Sequence, residues 1–561
     1  MRAPGFFRLS LLVTFLAVGS SSTVASAEVY WVFLADKAAL AGDSVPWTAS
    51  PSKKIQDLPV TADYVKGLAQ FGTIRTCSRW LNAVSLELPK GRGPGALSQL
   101  PFATAVIPVR AARRGVPSGA EPAARRSAPN QDYGPSFEQL NLLAVPLLHA
   151  RGLRGAGVRI AIMDTGFNWP DYRAFAHLNV IAARDFINDD DDVTDQSGQP
   201  VTGNEPAFGQ GQHGTRVLGL VAGNDPGQLV GVAPDAEYLL AKVEDLTREL
   251  PIEEDRWVAG LEWADSMGAQ VLNSSLGYTE WDDGTGYTYG DLDGRTTLSA
   301  QVAQVAVERG MVVVASAGNE GNKSWVYITT PADAPGVMTV GAVHVQSAAI
   351  ASFSSRGPTA DGRIKPDVVA PGQFVYSVEG SRAAAPGNFD ADQYVRFSGT
   401  SAASPLIAGV AALMLQADPN LTPPQINERL RSTVTDLGPV GPDTIFGYGL
   451  VNAAAAVGLS PEIPDQVSTL RPFPNPAVGD RPVVHFPFQL TDTDQVGLAV
   501  FDAGGLLVDE IVPQRWPAGV HSQAGQALAW RVPAKLASGL YHYRLTSSVF
   551  DATGTVAVIR D

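Results

Sequence analysis

Four apolar runs constrain this chain more than any other feature: Val158 to Met163, Val271 to Leu272, Met311 to Ala315 and Val337 to Val343. They are largely continuous rather than alternating, and stretches of helical period lie between them. A strand that is apolar on both faces belongs in a sheet covered on both faces, and parallel strands need crossover helices that supply this cover. Residues 131–460 are therefore predicted to form an α/β unit, a mainly parallel sheet with helices on both faces. Several of the runs end in polar residues, and sites in open α/β sheets form beyond the carboxyl ends of strands.

At 561 residues the chain exceeds what one core supports, and the pattern changes on both sides of this unit. Residues 1–27 read as a signal peptide: Arg2 and Arg8 precede the apolar stretch Leu9 to Val18, and Ala25-Ser26-Ala27 marks a cleavage point after Ala27. The stretch is shorter than the roughly 20 residues that span a bilayer, so no membrane span is expected. Residues 28–110 read as a small α+β unit with strands at Val29 to Leu34 and Ala83 to Leu88 and a helix at Ala62 to Phe71. Residues 111–130 carry Arg113-Arg114 and Arg125-Arg126 in a composition rich in Pro, Ala and Gly, which fits a cleavable linker. Residues 461–561 hold short alternating segments, Pro482 to Leu490, Val496 to Phe501, Leu506 to Val512, Gln526 to Val532, Gly539 to Leu545 and Thr555 to Ile559, and are expected to form a β-sandwich.

The formal charge of −15 argues against a nucleic-acid partner, because phosphate binding needs basic surface. The one cysteine, Cys77, excludes an intrachain disulfide, and in an exported chain this suggests a bacterial envelope or medium. The expected location is secreted or cell surface, and the expected state is a monomer.

Acyl transfer by serine needs a nucleophile, an imidazole to take its proton, a carboxylate to hold the imidazole's tautomer, and donors for the oxyanion. Asp164-Thr165-Gly166 ends the first apolar run, although an aspartate there is often only a turn residue. His213-Gly214-Thr215 opens a helix with Val217, Leu218 and Val221 on its apolar face. Gly399-Thr400-Ser401-Ala402-Ala403-Ser404-Pro405 delivers a serine to the start of a long apolar helix, where backbone N–H groups favour negative charge. Asn319 follows the strand Met311 to Ala315 and offers an amide donor.

These four signals together resemble the subtilisin family of serine proteases, whose chain order of aspartate, histidine and serine is reproduced here. The similarity extends through Asn273-Ser274-Ser275-Leu276-Gly277, Ser352 to Pro358, Lys365 to Gly372 and Gly447 to Ala453. The resemblance implies that Asp164 orients His213, that His213 acts as base and then acid, that Ser401 is the nucleophile, and that Asn319 serves the oxyanion hole. It implies that Ser275, Leu276 and Gly277 bind substrate backbone and wall the specificity pocket opposite Ser316, Ala317 and Gly318. Counting back from Pro331 against the family pattern places Thr329 near the pocket floor. With no acidic residue in either wall, specificity is expected to be broad and to lean to apolar or medium-sized side chains. Ala402 stands where the family usually has methionine.

The first unit resembles the family's inhibitory propeptide, and the last resembles a type IX secretion sorting domain through Phe473 to Pro476, Phe501 to Gly505 and Ser538 to Tyr543. The implied partners are protein or peptide substrates and secretion machinery. No cofactor is needed for this chemistry. Structural calcium is an alternative at Asp189 to Asp192 with Asp185 and Asp195, but a solvated loop is the preferred reading. The competing function is an inert binding or adhesion protein on the same fold, which should have lost a triad member or Asn319.

Overall fold

The computed structural model describes residues 28–35, 58–89, 91–109, 121–122, 133–196, 209–246, 250–279, 281, 286–381 and 393–458. From 472 to 560 it describes all but 476, 480, 491, 503–505, 522–526 and 550. The expected signal peptide and most of the linker lie outside these residues.

In the N-terminal unit β1 (Glu28–Leu34), β2 (Thr73–Ser78), β3 (Ala83–Leu88) and β4 (Ala103–Pro108) form a sheet in the order β2-β3-β1-β4, with α1 (Ala62–Ala69) on one face. The other face meets the next unit. The parallel sheet there has β5 (Arg159–Asp164), β6 (Asn179–Asp185), β7 (Glu237–Lys242), β8 (Val271–Ser274), β9 (Val312–Ser316), β10 (Met338–His344) and β11 (Val368–Gln373). Their order is β11-β10-β9-β8-β5-β7-β6, so the chain starts beside the central strand, goes to the β6 edge and back to β7, then crosses to β8 and runs outward to β11. Around it lie α2 (Gln212–Ala222), α3 (Ile252–Ser266), α4 (Leu298–Glu308) and α5 (Thr400–Ala417).

The four apolar runs lie in β5, β8, β9 and β10, with the predicted parallel pairing and cover on both faces. Helix α5 is apolar and long enough to cross a membrane, but it is 89% buried and serves as the central helix of this core. Beside it, Val375–Val378 pairs with Tyr394–Phe397, which also pairs antiparallel with Glu121–Pro122 from the expected linker. Near the C-terminus β12 (Ala477–Val478), β13 (Asp494–Phe501), β14 (Leu507–Trp516), β15 (Gly539–Thr546) and β16 (Asp551–Ile559) form a sheet in the order β12-β16-β15-β13-β14. Two short ladders, Val483–Phe486 with Leu528–Arg531 and Phe488–Leu490 with Gly519–His521, share its apolar core.

The first two units share core as well as surface. Trp31 and Trp80 belong to the same apolar cluster as Trp257, Leu261 and Ala306 of α3 and α4. Arg75 forms an ion pair of 2.9 Å with Asp255 at side-chain exposures of 7% and 2%. Ser85 donates to the same carboxylate at 2.6 Å. Glu262 accepts from Ser78 Oγ at 2.5 Å and from the Trp80 N–H at 3.2 Å, and the Arg309 guanidinium lies 5.1 Å from the Trp80 ring centre. Burial raises the pKa of both Asp255 and Glu262.

A second buried polar pair ties the start of the α/β unit to its body. His149 Nε2 donates to the Val232 carbonyl at 2.7 Å, and Nδ1 accepts from Tyr133 Oη at 3.0 Å, which requires a neutral ring. Burial lowers the His149 pKa to about 4. An unfolded histidine titrates near 6.5, so below that pH the unfolded chain takes up the proton first. Stability from this site is complete above about pH 6.5 and is lost, by about 3 kcal/mol in all, as pH falls toward 4. His149→Gln, which retains a donor for Val232, is expected to reduce stability at pH 7 but flatten that loss. Urea midpoints followed by tryptophan fluorescence between pH 4 and 7.5 check this, and a variant with the original slope would contradict it.

Candidate active site

The sheet places Asp164 at the carboxyl end of β5, next to the centre, where its side chain is fully buried. His213 is the second residue of α2, 9% exposed, and its Nδ1 lies 2.6 Å from Asp164 Oδ1. Asp164 Oδ1 also accepts from the Thr165 N–H at 2.8 Å, so the carboxylate fixes the tautomer with the proton on Nδ1 and leaves Nε2 as the basic nitrogen. Close approach of α2 depends on Gly214: a Cβ there would fall 2.2 Å from the Gly166 carbonyl and 3.0 Å from Asp164 Cβ.

The loops carrying the acid and the base are laced together. Asn168 donates to Asp195 at 2.9 Å, and Asp195 accepts from the Gly211 N–H at 2.5 Å, two residues before His213. The Asn168 N–H donates to Thr215 Oγ1 at 2.7 Å. Asp195 therefore works as a strut for the histidine loop. The rest of the acidic run does not converge on one point. Asp189 and Asp191 pair with Arg184, while Asp190 and Asp192 accept N–H groups of their own turns. These residues do not fit a calcium cage.

Ser401 lies in the first turn of α5, 3% exposed, two residues after Gly399. A Cβ on Gly399 would lie 2.7 Å from Ser401 Oγ and 3.8 Å from Asn319 Nδ2, so hydroxyl and amide border one small space. Asn319 is aimed by its other end: Oδ1 accepts from the Thr400 N–H at 2.9 Å and from Thr400 Oγ1 at 3.1 Å, and Thr400 Oγ1 accepts from the Gly318 N–H at 3.1 Å. Only Nδ2 is left to face the cleft. Ser401 Oγ and His213 Nε2 are buried and hydrogen-bonded to no described residue.

Pro405 explains how the segment after β8 attaches to this helix. It has no N–H for the carbonyl four residues back, which is that of Ser401. That carbonyl accepts from Ser275 Oγ at 3.1 Å instead, and Ser275 is further held by Asn273 Nδ2 at 3.0 Å and Ser404 Oγ at 3.1 Å. Ser275, Leu276 and Gly277 thus continue β8 alongside the helix start, while Ser316, Ala317 and Gly318 continue β9. Thr329 joins the two walls: its N–H donates to the Ala317 carbonyl at 3.1 Å, and its Oγ1 lies 2.1 Å from where a Gly277 Cβ would be and 3.1 Å from where a Gly318 Cβ would be. The threonine fills the space between the glycines, and its hydroxyl is buried and unpartnered.

The structure joins His213 to Asp164 and sets Ser401, Asn319, Ser275, Gly318, Gly277 and Thr329 about the start of α5 and the ends of β8 and β9, with Leu276, Ser316 and Ala317 beside them in the chain. Thr400, Asn168 and Asp195 were not assigned these roles, since their bonds cross long stretches of chain. The arrangement can remove a proton from a hydroxyl, hold the resulting charge pair, and donate to an oxyanion.

Residues 155–449 match the model of the subtilase family, Peptidase_S8. Subtilisin BL of Lederbergia lenta is 34% identical over 319 residues, 56% of this chain and 97% of that protein. Subtilisin E of Bacillus subtilis is 34% identical over 320 residues, 56% of this chain and 70% of that protein. Among solved structures, fervidolysin of Fervidobacterium pennivorans, described as a keratinolytic enzyme related to subtilisin, aligns over 96% of this chain and 78% of its own with a TM-score of 0.57 and 23% identity, a likeness of fold. With its parallel sheet, its order of aspartate, histidine and serine, and a family match over more than half its length, the chain belongs to the subtilase family as a subtilisin-like serine endopeptidase.

Proposed function

We propose that this endopeptidase is exported, is made as a self-processed precursor, and cleaves peptide bonds through an acyl-enzyme with Asp164, His213 and Ser401 as its triad. The 2.6 Å bond from His213 to a fully buried Asp164 carries this reading, since it leaves Nε2 as the free base. His213 takes the Ser401 proton as Oγ attacks the substrate carbonyl. The oxyanion receives hydrogen bonds from Asn319 Nδ2 and from the Ser401 N–H at the start of α5. His213 then gives the proton to the leaving amine, and water repeats the sequence to release the acid. Retention of all four residues, with Thr400 aiming Asn319, favours this over an inert binding protein.

The proposed organisation is signal peptide 1–27, propeptide 28–110, linker 111–130, peptidase 131–460 and sorting sandwich 461–561. The shared core of Trp31 and Trp80 with α3 and α4 supports a first unit that folds with the peptidase and holds it latent. The peptidase acts on protein or peptide substrates, as a monomer outside the cell or on its surface. Specificity is broad and leans to apolar or medium-sized side chains, with Thr329 excluding the largest aromatics from the primary pocket.

Three variants test this. Ser401→Ala is expected to accumulate as a folded precursor with the N-terminal unit attached; in a host without other extracellular proteases, a processed N-terminus would rule out self-cleavage. Asn319→Leu should lose roughly 100- to 1000-fold in turnover with little change in KM, the usual cost of one oxyanion donor. Steady-state kinetics decides, and unchanged turnover would reduce Asn319 to a turn residue. Thr329→Gly should open the pocket to Phe and Tyr, and identical peptide-library profiles for the two forms would remove Thr329 from the floor.

A further inference from the structure

Asp164 leaves one question of charge open. Its Oδ1 carries both hydrogen bonds, while Oδ2 is buried and has no hydrogen bond from any described residue. A carboxylate so enclosed is costly unless a positive charge stands near.

Such a charge lies on the next strand. Lys242, the last residue of β7, pairs in register with Asp164 on one side and with Asp185 on the other. Registered neighbours in a sheet lie about 4.8 Å apart and point the same way, so β5, β7 and β6 present a row Asp164, Lys242, Asp185 on one face. Lys242 Nζ is 2.9 Å from Asp185 Oδ2, and both side chains are fully buried. The lysine stem runs beneath the turn after the acid: a Cβ on Gly166 would lie 3.2 Å from Lys242 Cδ. Asp185 is itself fixed by the N–H groups of Ile187 at 2.7 Å and Asn188 at 3.0 Å. The contact between Lys242 and Asp185 lacks hydrogen-bond angles, so it acts as a charge pair.

We infer that Lys242 is a positioning residue for the proposed triad, a buried ammonium that keeps Asp164 ionised and limits how readily the Asp164–His213 pair takes up a proton. The inference rests on the triad reading. In the dry interior an ammonium beside the carboxylate favours its charged form and opposes a second cation on the imidazole. The other charges around the row are His213 from α2 and Arg256 from α3, whose field reaches Asp185, Glu253 and Asp245. Glu244 lies two residues beyond Lys242, with its carbonyl bound by Gln210 Nε2.

The test is the pH profile of kcat/KM on a peptide anilide. Lys242→Met is expected to move the acid limb up by about one pH unit, the effect of a unit charge about 6 Å away at a permittivity of about 40 or about 12 Å away at about 20. Lys242→Arg, which keeps the charge, should return the limb to its original position. A purely structural lysine would lower activity without moving the limb, and an unmoved limb overturns the inference. Should Lys242→Met not accumulate, Lys242→Met/Asp185→Asn leaves neither partner as a lone buried charge, and the same criterion applies to a smaller upward shift. Ser401→Ala is measured alongside. An active Ser401→Ala protein would sink the triad reading itself, whereas an inactive one with an unmoved limb in the lysine variant sinks only the role of Lys242.

Discussion

The site depends on the burial of α5. All its residues from Thr400 to Leu415 are buried, so neither its axis nor its N-terminus can shift without disturbing the core. Both pocket walls and the amide donor are referenced to that fixed end. The Gly399 N–H is held by the Gly372 carbonyl at 2.8 Å, Asn319 is held by Thr400, and the β8 extension is held by the Ser401 carbonyl that Pro405 leaves free. Catalytic geometry is inherited here from hydrophobic packing. The polar bonds select positions at a boundary that packing has already drawn.

Buried charge is spread over the molecule in pairs, as desolvation demands. Lys365 is enclosed with Asp367 at 2.7 Å and donates to the Val337 carbonyl at 2.7 Å, while Arg431 holds the other oxygen of Asp367 at 2.6 Å. The Asp367 pKa is lowered by these cations despite burial, and the Lys365 pKa is lowered by burial despite its partner. This cluster pins β11 and the segment after α5 to β10. The row beneath Asp164 has the same construction, with one end opening onto the reacting groups.

Much of this was legible in the sequence, for local reasons. Asp164, His213 and Ser401 each sit where a strand or glycine turn meets a helix, and such junctions leave marks within a few residues. Strands β2 and β4 were not read. Five of the six residues of β2 and all six of β4 are partly or fully exposed, so neither carries a regular apolar alternation. Thr329 has no local mark, and only the family pattern pointed to it. Thr400 was quoted as part of a small-residue motif, yet its bond to Asn319 crosses 81 positions. Asp195 was hidden in a run of like charges, and its acceptor role appears only once Gly211 is folded against it. Lys242, a single cation at the end of an apolar strand, gains meaning from register alone.

The face between the first two units has a second consequence, for the colloidal behaviour of the enzyme. While the N-terminal unit is seated, Asp255 and Glu262 on α3 lie inside a continuous interior, and Asp265 pairs with Arg309 at its edge. If that unit is removed as proposed, the surface it leaves is not a bare hydrophobic scar. Its carboxylates would then regain water and full charge, in a chain whose full-length net charge is −15. Like surfaces on two freed molecules would repel, which would protect the apolar surface near Trp257 from self-association. The residues that seal the interface would thus become a solubilising coat.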